Sequence, residues 1–163
     1  MIVVSNTSPI SNLAVLGNLP LLQQVYHTII IPTAVADEIA QVATIYTQAA
    51  TVPTLDWIQI QNLTNNDNEL IESLREELDA GEAEAIALAL ELNADLLLID
   101  EQLGRTVASR YGLKVKGLLG VLVTAKRLGM ISAVKPVMDD LIVQARFRVS
   151  QQLYTDVLQA AGE

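Results

Sequence analysis

The sequence predicts an α/β fold with three α/β/α layers, a central, mostly parallel sheet of four to five strands, and extra C-terminal helices. Two observations lead to this prediction. Short apolar runs alternate along the chain with longer helical patterns, which favours right-handed β-α-β crossovers and a parallel sheet. The run Leu96–Ile99 is apolar throughout and is followed by a carboxylate, Asp100, as expected for a buried strand that ends at a polar edge.

The N-terminal part of the chain contains two predicted strands and three predicted helices. Ser8-Pro9 is a typical helix start, because serine caps a helix and proline fits its first turn. Thr33 begins a long amphipathic helix with Ile45 on its buried stripe. In order, the elements are strand Ile2–Val4, helix Pro9–Leu16, helix Asn18–Gln24, strand Thr28–Ile31 and a helix from Thr33 to about Ala49.

The rest of the chain continues this alternation. Asp79-Ala80-Gly81 is a break that caps the next helix, and Asp100 is a predicted N-cap. We predict one domain, residues 1–163, with about 131–163 as a helical cap. The elements are strand Trp57–Gln61, loop Leu63–Asp67, helices Asn68–Leu78 and Glu82–Leu92, strand Asp95–Ile99, helix Glu101–Tyr111, strand Leu113–Lys116, and helices Leu118–Arg127, Ala133–Ala145 and Gln151–Ala161.

Composition excludes several classes of protein. Hydrophobic residues make up 51% of the chain but aromatic ones only 4%, so the core must be aliphatic. The absence of cysteine rules out disulfides, zinc–thiolate sites and thiol nucleophiles. No apolar stretch approaches the roughly 18 residues of a membrane span. No basic region precedes the first strand, so we expect no signal peptide and a cytoplasmic protein.

Charge is segregated along the chain. The net charge of −9 argues against a nucleic-acid binder, but residues 1–104 hold one basic side chain, Arg75, against fifteen acidic ones. Residues 105–148 hold nine basic side chains against two acidic ones. Two interpretations stay open: solvated helix and strand edges, or a phosphate-binding face beside an acidic metal site.

Oxygen ligands follow the predicted strands. Asn6, Thr7 and Ser8 come after the first strand, while Asp100 and Glu101 come after the buried one. Ligands of open α/β sheets bind beyond the carboxyl ends of the strands, so these side chains could converge in one crevice. Such a ligand set suits a hard cation such as Mg²⁺ or Mn²⁺. The alternative for Asp100 is a purely structural role as a helix cap.

Further carboxylates have similar alternatives. Glu82 and Glu84 open the central helix, where the helix dipole alone favours negative charge. Asp37 and Glu38 lie on the long helix and could simply be solvated. The single histidine, His27, has no obvious carboxylate partner, so a Ser-His-Asp triad is not predicted.

Five segments, in order along the chain, closely resemble the domain-of-unknown-function branch of PIN-like proteins. The likeness covers about residues 1–160, and the order of several motifs makes it specific. It implies an α/β fold with a parallel sheet, and often a metal-dependent ribonuclease or the toxin of a toxin–antitoxin pair. The segments are MIVVSNTSPISNLAVLG, IIIPTAVADEI, LDAGEAEAIALALELNADLLLID, GLLGVLVTAKRLGMI and FRVSQQLYTDVL.

The resemblance implies a cluster of carboxylates that holds Mg²⁺ or Mn²⁺. Its acids correspond here to Glu38, Glu82 and Asp100, which would be catalytic, with Glu101 as a neighbouring ligand. The first-strand acid is replaced by Asn6, whose amide oxygen can ligate a hard cation without contributing charge. The hydroxyl residues that follow it match Thr7 and Ser8.

Two functions therefore stay open. The first is RNA hydrolysis, with Thr7 and Ser8 orienting water or phosphate and the RNA backbone held by Arg105, Arg110, Lys114 and Lys116. The second is a catalytically weak or inactive module that binds nucleic acid or a small antitoxin-like protein. No membrane contact is expected. A homodimer is an alternative to a monomer, because the aliphatic positions of the last helices could form an interface or a core: Leu141, Ile142, Val143, Leu153, Val157 and Leu158.

Overall fold

A five-stranded sheet forms the centre of the structure, a computed structural model that describes residues 1–64 and 68–163. All pairings between the described strands are parallel, and the strand order is β3-β2-β1-β4-β5. The chain reverses its direction of progress across the sheet between β1 and β4, which is the topological switch point. The strands are β1 (Val3–Ser5), β2 (Ile29–Pro32), β3 (Ile58–Gln61), β4 (Leu96–Leu98) and β5 (Val115–Lys116).

Nine α-helices within the described ranges connect and cover these strands. The predicted α/β class, the parallel sheet and the alternation of elements are confirmed, with boundaries shifted by a few residues. Residues 65–67 of the predicted loop Leu63–Asp67 lie outside the described part of the chain. The helices are α1 (Thr7–Val15), α2 (Pro20–Tyr26), α3 (Thr33–Val42), α4 (Asn68–Arg75), α5 (Ala80–Glu91), α6 (Gln102–Arg110), α7 (Leu118–Arg127), α8 (Lys135–Gln144) and α9 (Gln151–Ala160).

Helix α5 is the most buried helix of the core and has a well-defined start. Asp79 caps it as predicted: its Oδ1 accepts from the Glu82 N–H at 2.8 Å. The Glu82 side chain accepts in return from the Asp79 N–H at 3.3 Å, which completes a capping box. Ala83, Ile86 and Leu88 are fully buried. The apolar packing of α5 therefore fixes the position of Glu82 on its first turn.

The long helix predicted from Thr33 to about Ala49 is wrong in its second half. Helix α3 ends at Val42, and a 3₁₀ helix follows at Thr47–Thr54. Beyond the helix end, the Thr44 hydroxyl donates to the Gln41 carbonyl at 2.7 Å. Ile45, expected in the core, is 77% exposed, because the 3₁₀ helix instead buries Ala49 and Val52.

Two predicted N-caps are also wrong, and both errors concern the same edge of the sheet. Asn6, not Ser8, is the N-cap of α1, so Ser8 lies in the first turn. Glu101, not Asp100, is the N-cap of α6. Ser8 and Asp100 therefore have side chains available for contacts between elements.

The last two helices pack on different parts of the domain. Helix α8 contacts α1, whereas α9 contacts α7. The side chain of Glu163 anchors the start of α8, accepting from the Val134 N–H at 2.7 Å and from Lys126 Nζ at 3.1 Å. Of the positions considered for a dimer, Leu141 and Val157 are buried while Val143 is exposed. Throughout the described ranges, each helix is too short or too polar to cross a bilayer.

Candidate active site

Asn6 lies at the carboxyl edge of the sheet, at the switch point. Ser5 of β1 pairs with Leu98 of β4, and the Asn6 N–H donates to the Leu98 carbonyl at 2.9 Å. Only 5% of Asn6 is exposed, and its Oδ1 is buried without a hydrogen-bond partner among the described residues. An unpaired buried polar atom costs about 1–3 kcal/mol. A ligand that offers this oxygen a positive charge or a donor would remove that cost.

Asp100 follows β4, and its side chain is hydrogen-bonded to two helices, α1 and α7. Its Oδ2 accepts from the Ser8 hydroxyl at 2.8 Å, and its Oδ1 accepts from the Leu118 N–H at 2.6 Å. Burial raises the pKa of Asp100, while these hydrogen bonds and the Arg105 charge partly oppose the rise. Asp100 is thus a half-buried carboxylate placed between α1 and the start of α7.

Glu38 brings α3 into the same group of side chains. Its Oε2 accepts from the Thr7 hydroxyl, and its Oε1 accepts from the Gly81 N–H at 3.1 Å. A Cβ on Gly81 would overlap both Glu38 carboxylate oxygens. Glycine is therefore the residue that lets the start of α5 approach this carboxylate so closely.

Glu82 is the most buried carboxylate of this edge, with 6% exposure. Its Oε1 lies against α6, 3.4 Å from the position that a Cβ on Gly104 would take. Burial raises the pKa of Glu82, and the negative charges of Asp79, Glu101 and Glu38 raise it further. The ionised forms of these carboxylates therefore repel one another.

Two other carboxylates singled out in the sequence, Glu101 and Glu84, lie at the margin of this group of acidic side chains. Glu101 is exposed at the start of α6, where its charge raises the pKa of both Glu82 and Asp100. Burial raises the pKa of Glu84. The positive charge of Arg75 and a hydrogen bond from the Ala34 backbone partly offset this rise. Glu84 thus points to the start of α3.

The donor chemistry of this edge fits a hard divalent cation. It offers carboxylate oxygens and the buried amide oxygen of Asn6, which has no hydrogen-bond partner in residues 1–64 and 68–163. Across residues 1–64 and 68–163, however, no three acidic or histidine side chains lie close enough together to hold one ion. The Glu38 and Asp100 oxygens are occupied by hydroxyl and N–H donors. To bind a cation, these carboxylates would have to turn away from some of their present partners.

The four basic residues predicted to hold substrate are placed differently from one another. Arg105 lies close enough to Asp100 to lower its pKa, and both line a cavity of about 300 Å³. Lys116 lines it too, but its Nζ donates to Thr124 at 2.9 Å. Arg110 forms an exposed ion pair with Glu77 at 3.2 Å. Lys114 lies at the opposite, amino edge of the sheet.

The sequence prediction missed a second basic segment at this edge. A cavity of about 470 Å³ beside Ser8 and Asp100 is also lined by Arg146, Phe147 and Arg148, between α8 and α9. These residues are far from Asp100 along the chain, so no local motif links them. The one available signal was the excess of basic residues in 105–148.

The fold and site together define an α/β protein with an acidic crevice at the switch point of a parallel sheet. Residues 2–163 match the model of the DUF3368 family, which is described as a PIN domain. The chain belongs to this family, so the predicted resemblance is confirmed and the fold is of the nuclease type.

A solved structure supports the same fold. The chain is similar to a PilT N-terminus domain protein from the hyperthermophilic archaeon Sulfolobus solfataricus, with a TM-score of 0.51 and 19% sequence identity. The similarity covers 77% of this chain and 93% of the archaeal one. At this level of identity the likeness concerns the fold alone. A comparison with curated proteins gave no significant match.

Proposed function

We propose that this protein is a divalent-metal-dependent ribonuclease that hydrolyses RNA phosphodiesters. The observation that carries the proposal is the buried, unpaired Oδ1 of Asn6 at the edge where Glu82 and Asp100 lie. PIN domains in general use divalent metals. Neutral amide and ionised carboxylate oxygens are the ligands that Mg²⁺ and Mn²⁺ accept.

In this proposal Asn6, Glu38, Glu82 and Asp100 hold the cation, and the exposed Glu101 contributes at the rim. A bound cation would lower the pKa of a water ligand and polarise the scissile phosphate. Glu82 and Asp100 must be ionised to take part, and their raised pKa values move that ionisation to higher pH than for exposed carboxylates. Catalysis should therefore increase with pH as these groups lose their protons.

The other residues of the edge position the ligands and the substrate. The hydroxyls of Thr7 and Ser8 hold the carboxylates of Glu38 and Asp100, and either hydroxyl can instead donate to a phosphate oxygen. Arg105, beside Asp100, is the predicted basic residue best placed to bind the backbone. Arg110 and Lys114 lie away from this crevice, so we assign them no substrate contact.

The test is cleavage of a labelled single-stranded RNA by the purified protein with Mn²⁺ or Mg²⁺, and with chelator as the blank. Calorimetric titration of Mn²⁺ into wild type and Glu82→Gln measures binding independently of cleavage. Saturable binding that the variant loses, together with metal-dependent cleavage, supports the proposal. Absence of cleavage with either metal, or equal cleavage by Asp100→Asn, would contradict it.

The second candidate is a module without catalysis that binds a small protein partner. It is favoured by the neutral Asn6 and by the internal hydrogen bonds that already occupy Glu38 and Asp100. A cationic side chain of an antitoxin-like partner could then neutralise the crevice. Co-expression of a tagged form of the chain with the product of a small neighbouring gene tests it. Co-purification of the two proteins, with no metal-dependent RNA cleavage by the chain, supports this second candidate.

A further inference from the structure

The segment between α8 and α9 crosses the crevice at Asp100. Helix α8 packs on α1 and α9 packs on α7. Asp100 is hydrogen-bonded to Ser8 of α1 and to Leu118 at the start of α7. Asp100 therefore lies between α1 and α7, the two helices on which α8 and α9 pack. The connection from α8 to α9 must run past the Asp100 carboxylate.

This segment borders a cavity on each side. Asp100, Phe147 and Arg148 line both the cavity of about 300 Å³ and the cavity of about 470 Å³. Arg105 lines the first, and Arg146 lines the second. Volumes of this size are those of small-ligand pockets. Each cavity thus suits about one nucleotide of a single strand and is too small for a duplex.

The two arginines of this segment have no charged partner in the part of the chain that the structure describes. Neither Arg146 nor Arg148 forms an ion pair there, whereas Arg110, Lys126 and Lys135 each pair with a carboxylate. Both arginines are exposed. A guanidinium group stays charged at any ordinary pH and binds phosphate oxygens with two parallel N–H donors. These charges offset the repulsion between an acidic crevice and a polyanion.

The position of the segment is fixed by its ends. Arg146 has a left-handed backbone, with φ of 54°, and the following Phe147 N–H donates to the Leu141 carbonyl at 3.0 Å. At the other end Ser150 caps α9 by accepting from the Leu153 N–H at 3.1 Å. The arginines are therefore held on a short, anchored connection, and little backbone conformational entropy would be lost when they bind a ligand.

We propose that Arg146 and Arg148 form a clamp for the backbone of single-stranded RNA, with neighbouring nucleotides on the two sides of Phe147. The proposal rests on the proposed function, since it names the substrate-binding part of the same crevice. The clamp acts on phosphates and is independent of base sequence. The clamp places the RNA strand across Asp100. The two arginines then hold the phosphates on either side of the scissile phosphodiester, which lies over the carboxylates.

The experiment measures RNA binding without cleavage. Anisotropy of a short fluorescent single-stranded RNA is followed in chelator over a range of salt concentrations. Each phosphate contact on a single strand contributes about 0.7 to the slope of log K against log salt. The double variant Arg146→Ala/Arg148→Ala should therefore lower the magnitude of the slope by about 1.4. Its affinity at low salt should fall by about tenfold or more.

Two further variants complete the test. Arg75→Ala/Arg127→Ala removes the same charge from arginines that line neither cavity, and it should leave the slope unchanged. Arg146→Lys/Arg148→Lys keeps the charge and should retain most of the slope. Equal effects of the two alanine pairs, or no measurable binding by the wild type, would overturn the clamp. Because this readout needs neither metal nor cleavage, failure of the proposed catalysis would appear separately.

Discussion

The two edges of the parallel sheet differ in how their polar groups are satisfied. The amino edge has a cavity of about 710 Å³, more spacious than either cavity beside Asp100. Two charged residues that line it are already hydrogen-bonded: Asp95 accepts from the Ile2 N–H at 2.6 Å, and Lys116 donates to Thr124 at 2.9 Å. The carboxyl edge has less space, but burial raises the pKa of Glu82 there, and the negative charges of Asp79, Glu101 and Glu38 raise it further.

Each edge also contains one unpaired polar atom. These atoms are Asn6 Oδ1 at the carboxyl edge and the Tyr26 hydroxyl at the amino edge, both buried and without partners in the described ranges. Burial raises the pKa of Tyr26 to about 12, so this hydroxyl stays neutral. Only Asn6 lies among acidic side chains that would gain from a cation. Unbalanced charge, and not cavity volume, therefore distinguishes the edge where we propose that a cation binds.

The largest expected difference between the edges is in catalysis. Asp100→Asn removes a carboxylate charge from the crevice and should lower the rate of RNA cleavage by about 10- to 100-fold, the loss that changes around a metal site produce. Asp95→Asn makes the same chemical change at the amino edge and should leave the rate within about twofold of wild type. Single-turnover cleavage assays measure both. Similar losses in the two variants would mean that the edges are not functionally distinct.

The two unpaired atoms provide a second contrast. Asn6→Asp adds a negative charge to the proposed ligand set and should raise Mn²⁺ affinity by about tenfold, equivalent to about 1.4 kcal/mol. Tyr26→Phe removes the other unpaired atom and should leave that affinity unchanged. Calorimetric titration of Mn²⁺ compares them. Weaker binding by Asn6→Asp would argue that Asn6 lies outside the ligand set.

Two glycines test how closely the carboxyl edge is packed. In Gly81→Ala the new Cβ would displace the Glu38 carboxylate, so metal affinity should fall by several fold, up to about tenfold. In Gly120→Ala the new Cβ meets the flexible Lys116 side chain at 2.9 Å, which can move aside. The second variant should bind metal like the wild type. If both bind normally, the exact placement of Glu38 does not matter for the cation.

The smallest expected effect is on stability and depends on pH. The pKa of Glu82 is raised in the folded state, so the stability linked to its protonated form is fully present below the unfolded pKa and is lost as pH rises through the folded value. Glu82→Gln should therefore raise Tm at neutral pH, by about 2–4 °C for each kcal/mol relieved. The gain should disappear below about pH 4.

A matched variant and added metal supply the controls for this prediction. In chelator, Asp95→Asn should not raise Tm, because Asp95 is exposed and accepts a backbone hydrogen bond. Added Mn²⁺ should stabilise the wild type and not Glu82→Gln, since a ligand raises the stability of the state that binds it. Thermal unfolding against pH, with and without Mn²⁺, measures all of these. A lower Tm for Glu82→Gln at neutral pH would show that its charge is structurally required.

The sequence allowed the carboxyl edge to be located because the relevant signals are local. An apolar strand followed by a polar residue identified Asn6 and Asp100, and the spacing of Asp79 and Glu82 identified a helix start. The alternation of strands and helices then predicted a mostly parallel sheet, but the strand order came only from the structure. Local signals could not provide the identity of each partner. Asp100 accepts a hydrogen bond from Leu118 at the start of α7, although α6 is the helix that follows it directly in the chain.

The missed features depend on competition between distant segments. Ile45 has the right spacing for the buried face of α3, yet Ala49 and Val52 occupy the core in its place. The positions of Arg146 and Arg148 depend on how α8 and α9 dock on α1 and α7. No periodicity in a single segment contains that information, because docking is decided by the surfaces of two segments together.

The position of Asp100 has a consequence for the time at which the crevice appears during synthesis. Its hydroxyl partner, Ser8, lies 92 positions earlier in the chain, and its amide partner, Leu118, lies 18 positions later. A ribosome must therefore have released residues well beyond Asp100 before the carboxylate can acquire both contacts. A nascent chain halted before Leu118 would carry β1 to β4 without this contact, so the crevice at Asp100 is completed only after more than two thirds of the chain has been synthesised.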